Sequence, residues 1–251
     1  MQRKRSGAIE WLEFDILADI PRLKHAVFLR NGGHSKGSFS ALNLSHHIGD
    51  DAESVEANLN EVKAILGIQT LISGKQCHGA AIAKVFPSTH GEIPGHDGFI
   101  TNIPDIGLMI KHADCQAAIL YDPIHHAIST VHSGWKGSVQ NIYAAAIDRM
   151  KMEYETRPED LLIGISPSLG PESAEFKNYR TELPEAFWKF QSKPNYFDFW
   201  AITHKQLLDC GVLSHHIEYA RMCTLKGKED FFSYRRENIT GRHGTIAVLK
   251  K

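Results

Sequence analysis

Apolar positions recur at helical spacing in one early segment and at strand spacing through much of the rest. In DDAESVEANLNEVKAILGI, Val55, Leu59, Val62 and Leu66 fall three or four residues apart, behind the cap candidates Asp51 and Ser54 and ahead of Gly67. That pattern predicts a helix with both ends marked. HAVFLR (25–30) predicts a strand stopped by Asn31-Gly32-Gly33, and the shorter runs IAKVF, DGFIT, GLMIK, AAILY and HAISTVH predict further strands punctuated by Gly, Pro and Asp.

SVQNIYAAAIDRMKMEY, free of Gly and Pro, predicts a second helix starting directly after VHSGWKG (131–137). LLIGIS predicts a buried strand and PSLGPES a loop; helices are expected around LPEAFWKF and WAITHKQLLDC. At the end of the chain, FFSYRRE and HGTIAVLK are expected to pair as a hairpin across Asn-Ile-Thr-Gly. Strands joined by hairpins, with helices inserted between them, predict an α+β fold, taken as one domain over 1–251 because no linker divides the chain.

Charge narrows the partners. With 28 basic against 29 acidic residues the net charge is −1, so nothing argues for nucleic acid or an acidic membrane, and a small ligand is expected. Glu10, Glu13 and Asp15 interrupt the start of the chain where a signal peptide needs an apolar run, and no uncharged stretch approaches the roughly 18 residues of a membrane span. Cys77, Cys115, Cys210 and Cys223 form no CxxC pair. A reduced, cytoplasmic protein is the expectation.

Three stretches place ligand-type residues inside strand-like sequence: KQCHGA at His78, KHADCQAAI at Cys115 and TVHSGW at His132. Two imidazoles and a thiolate suit a zinc ion with a fourth position left open, although on the residues alone Cys115 among apolar neighbours reads first as a core residue. The same Cys115 and His132 could form a metal-free nucleophilic pair, with Asp114 beside them as orienting group, proton carrier or turn cap. VHSGWKG, between a strand and a helix, offers free N–H groups to an anion. Phosphate-loop, dinucleotide and nucleophile-elbow signatures are absent.

ALNLSHHIGDD, KQCHGA, HDGFIT, HADCQAAILYDP, VHSGWKGS and FFSYRRENITGR, from about Arg30 to about Arg242, resemble in order and spacing the laccase-domain family, also called the YfiH purine nucleoside phosphorylase family. The resemblance implies a sandwich of mixed β-sheets with flanking helices, related to cysteine hydrolases. It also implies a metal held by His78, Cys115 and His132. Its activities would be phosphorolysis of adenosine, inosine and methylthioadenosine, with adenosine deamination. Zinc, one ion per chain, is expected ahead of copper, and purine nucleosides and phosphate are the expected partners.

Arg30, Lys136 and Arg236 are candidate phosphate donors, while Asn43 and Asp50 belong to the family-like NLSHHIGDD stretch and Asp51 has a competing role as helix cap. Lys136 stands where the family usually has Arg, and Glu172-Ser173 where it has a cysteine pair. A laccase would also need a histidine-rich copper cluster, and none of the 15 histidines has another at i+2. The alternatives are a metal-free cysteine hydrolase using Cys115 and His132, or a nucleoside-binding module.

Overall fold

In the computed structural model, which describes residues 1–251, the chain opens with β1 (Gln2–Ser6), β2 (Ile9–Glu13), the short helix α1 (Asp15–Ala18) and β3 (Leu23–Phe28). Helix α2 (Ala52–Leu66) leads into β4 (Thr70–Lys75), β5 (Ile82–Lys84), β6 (Glu92–Pro94) and β7 (Gly98–Thr101). Next come β8 (Ile106–His112), β9 (Gln116–Asp122), β10 (Ala127–Ser133), α3 (Trp135–Val139), α4 (Ile142–Tyr154) and β11 (Leu162–Ile165). The remainder carries α5 (Tyr179–Glu182), α6 (Glu185–Trp188), β12 (Gln191–Lys193), β13 (Tyr196–Phe197), α7 (Phe199–Asp209), β14 (Ile217–Tyr219), α8 (Tyr234–Glu237) and β15 (His243–Leu249).

Two mixed sheets form, in the orders β1-β2-β3-β15-β8-β4-β6 and β14-β11-β9-β10-β7-β5, beside a small β12-β13 ribbon. In the first, β15 runs antiparallel to β3 and β8 while β4 is parallel to β8; in the second, β9 and β10 are antiparallel and β5 is parallel to β7. Strand alternation explains the layering. Leu108 and Ile110 of β8 join Ile119 and Tyr121 of β9 in one core between the sheets. Met109 turns outward to Val62 and Leu66 of α2, and Ala118 and Leu120 turn to Ile142, Ala146 and Ile147 of α4. The expected α+β sandwich of mixed sheets is therefore four layers deep, and burial on both faces is why GLMIK and AAILY read as unbroken apolar runs. Each fully buried Leu or Ile in these cores contributes about 1.5–3 kcal/mol.

Helix α2 has its predicted ends: the Asp51 carboxylate accepts from the Ser54 N–H at 2.9 Å, and Gly67 takes the left-handed conformation (φ 65°) of a C-cap. The second helix begins earlier than predicted and is broken. Gly134 is the N-cap of α3, so Trp135, Lys136 and Gly137 lie inside that helix, and Asn141 (φ 54°) interrupts it while its side chain caps α4 through the Ala144 N–H. The C-terminal hairpin does not form. Ser233 caps α8, its hydroxyl accepting from the Arg236 N–H, so 234–237 coils into a helical turn; β15 instead takes two partners, β3 and β8, in the middle of the sheet. His243 keeps the segments close by accepting the Phe232 N–H on Nε2 at 2.9 Å.

The chain crosses from one sheet to the other between β8 and β9 through Ala113, Asp114 and Cys115 alone. Strand β10 returns antiparallel, with His132 opposite Ala117 and Ser133 opposite Gln116, so the end of β10 lies beside the start of β9.

Candidate metal centre

That register brings Cys115 and His132 together, and the loop between β4 and β5 adds His78. The donor atoms of His78, Cys115 and His132 all lie within 4.8 Å of one another, and the two imidazoles meet edge to face at 4.9 Å. A tetrahedral zinc ion asks for donors roughly 3.3–3.8 Å apart, so two nitrogens and a sulfur arranged this way fit such an ion. No other cluster of three His, Cys, Asp or Glu donors is present in the chain.

A carboxylate absent from the sequence-derived set holds these residues in place. Asp97, fully buried just before β7, accepts the His132 Nδ1–H at 2.7 Å and the backbone N–H groups of Cys77, His78 and Gly79 at 2.9–3.0 Å. The Cys77 thiol adds a fifth donor at 3.2 Å. Cys77 and His78 are thus in a loop wrapped on one carboxylate, not on a strand, and His78 takes a left-handed backbone (φ 60°) to fit it. With Nδ1 committed to Asp97, Nε2 of His132 is left for the shared centre.

The glycine in VHSGWKG has a steric reason. A Cβ at Gly134 would stand 2.7 Å from Cδ2 of His78 and 3.2 Å from the Cys115 sulfur, so any side chain there would push the donors apart. Its φ of −74° is ordinary. Close approach, not backbone conformation, calls for glycine.

Electrostatics complete the set. Burial alone would raise the Cys115 thiol, but the charge on His132 and hydrogen bonds from His132 and His78 bring it below the usual range. For His132, burial opposes the charge, yet the Cys115 thiolate and Asp97 raise it. Burial works against ionised Asp97 too, and the His132 and backbone N–H bonds overcome it, holding the carboxyl well below its ordinary value. All three shifts act in the direction of a thiolate–imidazolium–carboxylate row.

Two cavities of opposite character meet at Cys115. One, about 200 Å³, is walled by Trp135, Phe176, Phe199, Leu169 and Ala174. The other, about 830 Å³, is polar, with His46, His47, Lys75, Lys111 and Arg242 around it. Ala113, Cys115 and Tyr234 line both, and Tyr234 is 54% exposed at their junction.

Of the other sequence-derived candidates only Asp114 lines either cavity, and it does so on the aromatic side. Both Asp114 oxygens are engaged, one by the Thr224 hydroxyl at 2.7 Å and one by the Arg235 N–H at 2.6 Å, so this residue ties loops across the end of the sandwich. Arg30 bonds the carbonyls of Ser40 and Lys228 and pairs with Glu237, and Arg236 spends its guanidinium on the carbonyls of Thr224, Leu225 and Phe231 and on the same Glu237. Lys136 is exposed, its Nζ 5.5 Å from the centre of the Trp135 ring. Asn43 and Asp50 bond each other at 2.8 Å, and Asn43 Oδ1 accepts the Arg242 N–H at 2.9 Å. Asp97 and Arg242 are the residues that sequence reasoning passed over, although HDGFIT and the final TGR of the family-like motifs contain them.

Residues 24–250 match the family described as multi-copper polyphenol oxidoreductase laccase. A purine nucleoside phosphorylase of Bacteroides thetaiotaomicron is 30% identical over 247 residues, spanning 91% of this chain and 92% of that protein. The purine nucleoside phosphorylase YlmD of Geobacillus stearothermophilus is 30% identical over 233 residues, 85% of each chain. The crystal structure of YlmD from Geobacillus stearothermophilus superposes with a TM-score of 0.89 at 26% identity, covering 99% of this chain and 98% of that one. For Bacillus licheniformis YfiH the TM-score is 0.88 at 24% identity over 98% and 97% of the two chains, a likeness of fold.

Proposed function

This chain belongs to the multi-copper polyphenol oxidoreductase laccase family, and on that premise we propose that it is a purine nucleoside phosphorylase acting on inosine, adenosine and methylthioadenosine, with adenosine deamination as a second reaction. One observation carries the reading: an aromatic cavity and a cationic cavity share Cys115. A flat, apolar base suits the first and an anion the second, which leaves the glycosidic bond at their junction. There a phosphate oxygen bonds to C1′ of the ribose as the C1′–N9 bond breaks. The electron pair goes to the purine, and the proton lost by hydrogen phosphate balances the one the purine gains. In the second reaction water adds at C6 of adenosine and ammonia leaves.

In this reading His78, Cys115 and His132 hold one zinc ion per chain, Asp97 fixes the His132 tautomer, and Gly134 keeps room for the donors. Bound there, zinc supplies an electrophilic centre at the junction of the cavities. The protein's own groups orient the two substrates and exclude bulk water. Four-copper laccase chemistry would need a further histidine-rich cluster beyond these three donors.

The test is metal content with a product assay. Metal-replete protein given inosine and phosphate should release hypoxanthine and ribose 1-phosphate; hypoxanthine formed equally fast without phosphate would sink the phosphorylase reading. Cys115→Ala should lose the zinc, whereas Cys77→Ala, exposed and bonded only to Asp97, should keep it. Zinc uptake should also expel the His132 proton, since the empty set carries an imidazolium. Calorimetry in buffers of different ionisation enthalpy should therefore find close to one proton released per ion at neutral pH, and fewer as the pH rises through the raised His132 value.

A second reading has its own observation. Cys115, His132 and Asp97 stand in the order nucleophile, base, orienting acid, which is what a metal-free cysteine hydrolase requires. Full activity after chelation would favour it, and turnover of no nucleoside at all would leave a nucleoside-binding module.

A further inference from the structure

Arg242 stands on the wall of the polar cavity with half its guanidinium unused. Nη1 donates to the carbonyls of Thr240 and Gly241 at 2.7 and 3.0 Å, while Nε and Nη2 have no protein acceptor and no carboxylate pairs with the group. It is only partly exposed, and burial is the main cause that pulls its pKa below the usual arginine value. A partly desolvated cation with no carboxylate bonded to it, and with Cys115 and Asp114 acting on it only from a distance, favours an anionic ligand on its free edge. Lys111, 10% exposed, lines the same cavity with Glu92 as its one ionic partner. Beside it His112, 2% exposed, keeps Nδ1 without a hydrogen-bond partner.

The placement of Arg242 is built from residues far away in sequence. Its N–H donates to Asn43 Oδ1 at 2.9 Å and its carbonyl accepts the Leu44 N–H at 3.1 Å. Asn43, fully buried, is in turn fixed by the Asp50 carboxylate, which also accepts the Ser35 hydroxyl at 2.7 Å and the Asp51 N–H at 2.9 Å. Asp50, Asn43 and Arg242 form a row that ends where β15 begins.

We propose that the free Nε–Nη2 edge of Arg242, together with Lys111, clamps inorganic phosphate in the polar cavity, and that Asn43 and Asp50 are positioning residues acting through the Arg242 backbone. The proposal rests on the phosphorylase reading for its role and on geometry for its residues. A guanidinium edge matches two phosphate oxygens in one plane, which a lysine cannot reproduce. Lys111 supplies the second charge when phosphate displaces Glu92 from it.

Titration of inorganic phosphate into the metal-replete protein, followed by calorimetry, tests the clamp apart from turnover. Arg242→Gln should weaken phosphate binding roughly 10- to 100-fold, the worth of one or two charge-assisted hydrogen bonds, with the affinity for inosine in phosphate-free buffer unchanged. Lys111→Met should weaken phosphate less, and Arg242→Lys should recover part of the loss. Asn43→Ala should lower phosphate affinity and leave inosine affinity unchanged, a split that general unfolding would not produce. Wild-type protein that binds no phosphate, or Arg242→Gln and Lys111→Met proteins that bind it as wild type does, would overturn the clamp. Phosphate bound by wild type and lost in Arg242→Gln, with no ribose 1-phosphate formed, would uphold the clamp and remove the phosphorylase reading instead.

Discussion

The aromatic and polar cavities differ in how ready they are for a ligand. In the aromatic cavity the rings already pack on one another, Phe176 lying 6.2 Å from Trp135 and 5.3 Å from Phe199 between centres, and few polar groups must be stripped of water. In the polar cavity the charged groups are partly spent on each other: Glu92 pairs with Lys111 and stands 3.8 Å from His47. On the proposed reading one cavity discriminates by shape with little rearrangement. The other would discriminate by charge and would have to exchange an internal ion pair for the ligand, so its occupancy should be the more sensitive to salt. Cys115 lines both, so on the proposed reading the chemistry falls where the two kinds of selectivity overlap.

The substitution expected to damage both sides most is Asp97→Ala. It leaves the His132 imidazolium and three loop N–H groups without their acceptor, so denaturant unfolding should report a loss of about 3–5 kcal/mol, and zinc affinity measured against a competing chelator should fall at least 10–100-fold. Retained zinc with lost stability alone would show that Asp97 supports the loop and not the donors.

Gly134→Ala separates the donors from the fold. Alanine accepts a φ of −74°, so α3 should persist, while the clash with His78 and Cys115 should cost about 1–3 kcal/mol and appear chiefly as weaker metal binding. An unchanged zinc affinity would mean that His78 is not a ligand. Phe176→Ala acts on one cavity only and should weaken nucleoside binding by about 1–3 kcal/mol with phosphate binding intact; equal loss of both would show that the cavities are not independent. Lys136→Ala should do least, within about 0.5–1 kcal/mol, because the exposed ammonium gives up only its contact over Trp135. A large loss of phosphate use in that variant would move the anion away from Arg242.

The legible parts of the fold were those governed by local rules. Asp51 and Gly67 mark the ends of α2 because capping is decided by neighbours in sequence, and the strands of the central sheets show in their apolar runs. FFSYRRE misled because its alternation fits a strand, while the Ser233 cap and the two-sided pairing of β15 favour a turn of helix. Among the site residues, His78, Cys115 and His132 stand out by chemistry even though 37 and 17 residues separate them. Asp97 passes for a turn residue in a HisAspGly context, and its value comes from donors 18–20 and 35 residues distant that only the folded sheet delivers. Arg242 and the aromatic cavity are hidden for the same reason, being assembled from separate loops.

The crossing from β8 to β9 gives the site a mechanical role. Cys115 directly precedes a strand of one sheet, whereas Lys111 and His112 close a strand of the other, and Arg242 directly precedes a further strand in that second sheet. A ligand gripped from both sides would therefore act as a rivet through the end of the sandwich, opposing any sliding of one sheet over the other. Its grip would be felt far from the point of contact, as slower amide exchange along β9 and β15 together, so that filling the site and stiffening the whole framework become one event.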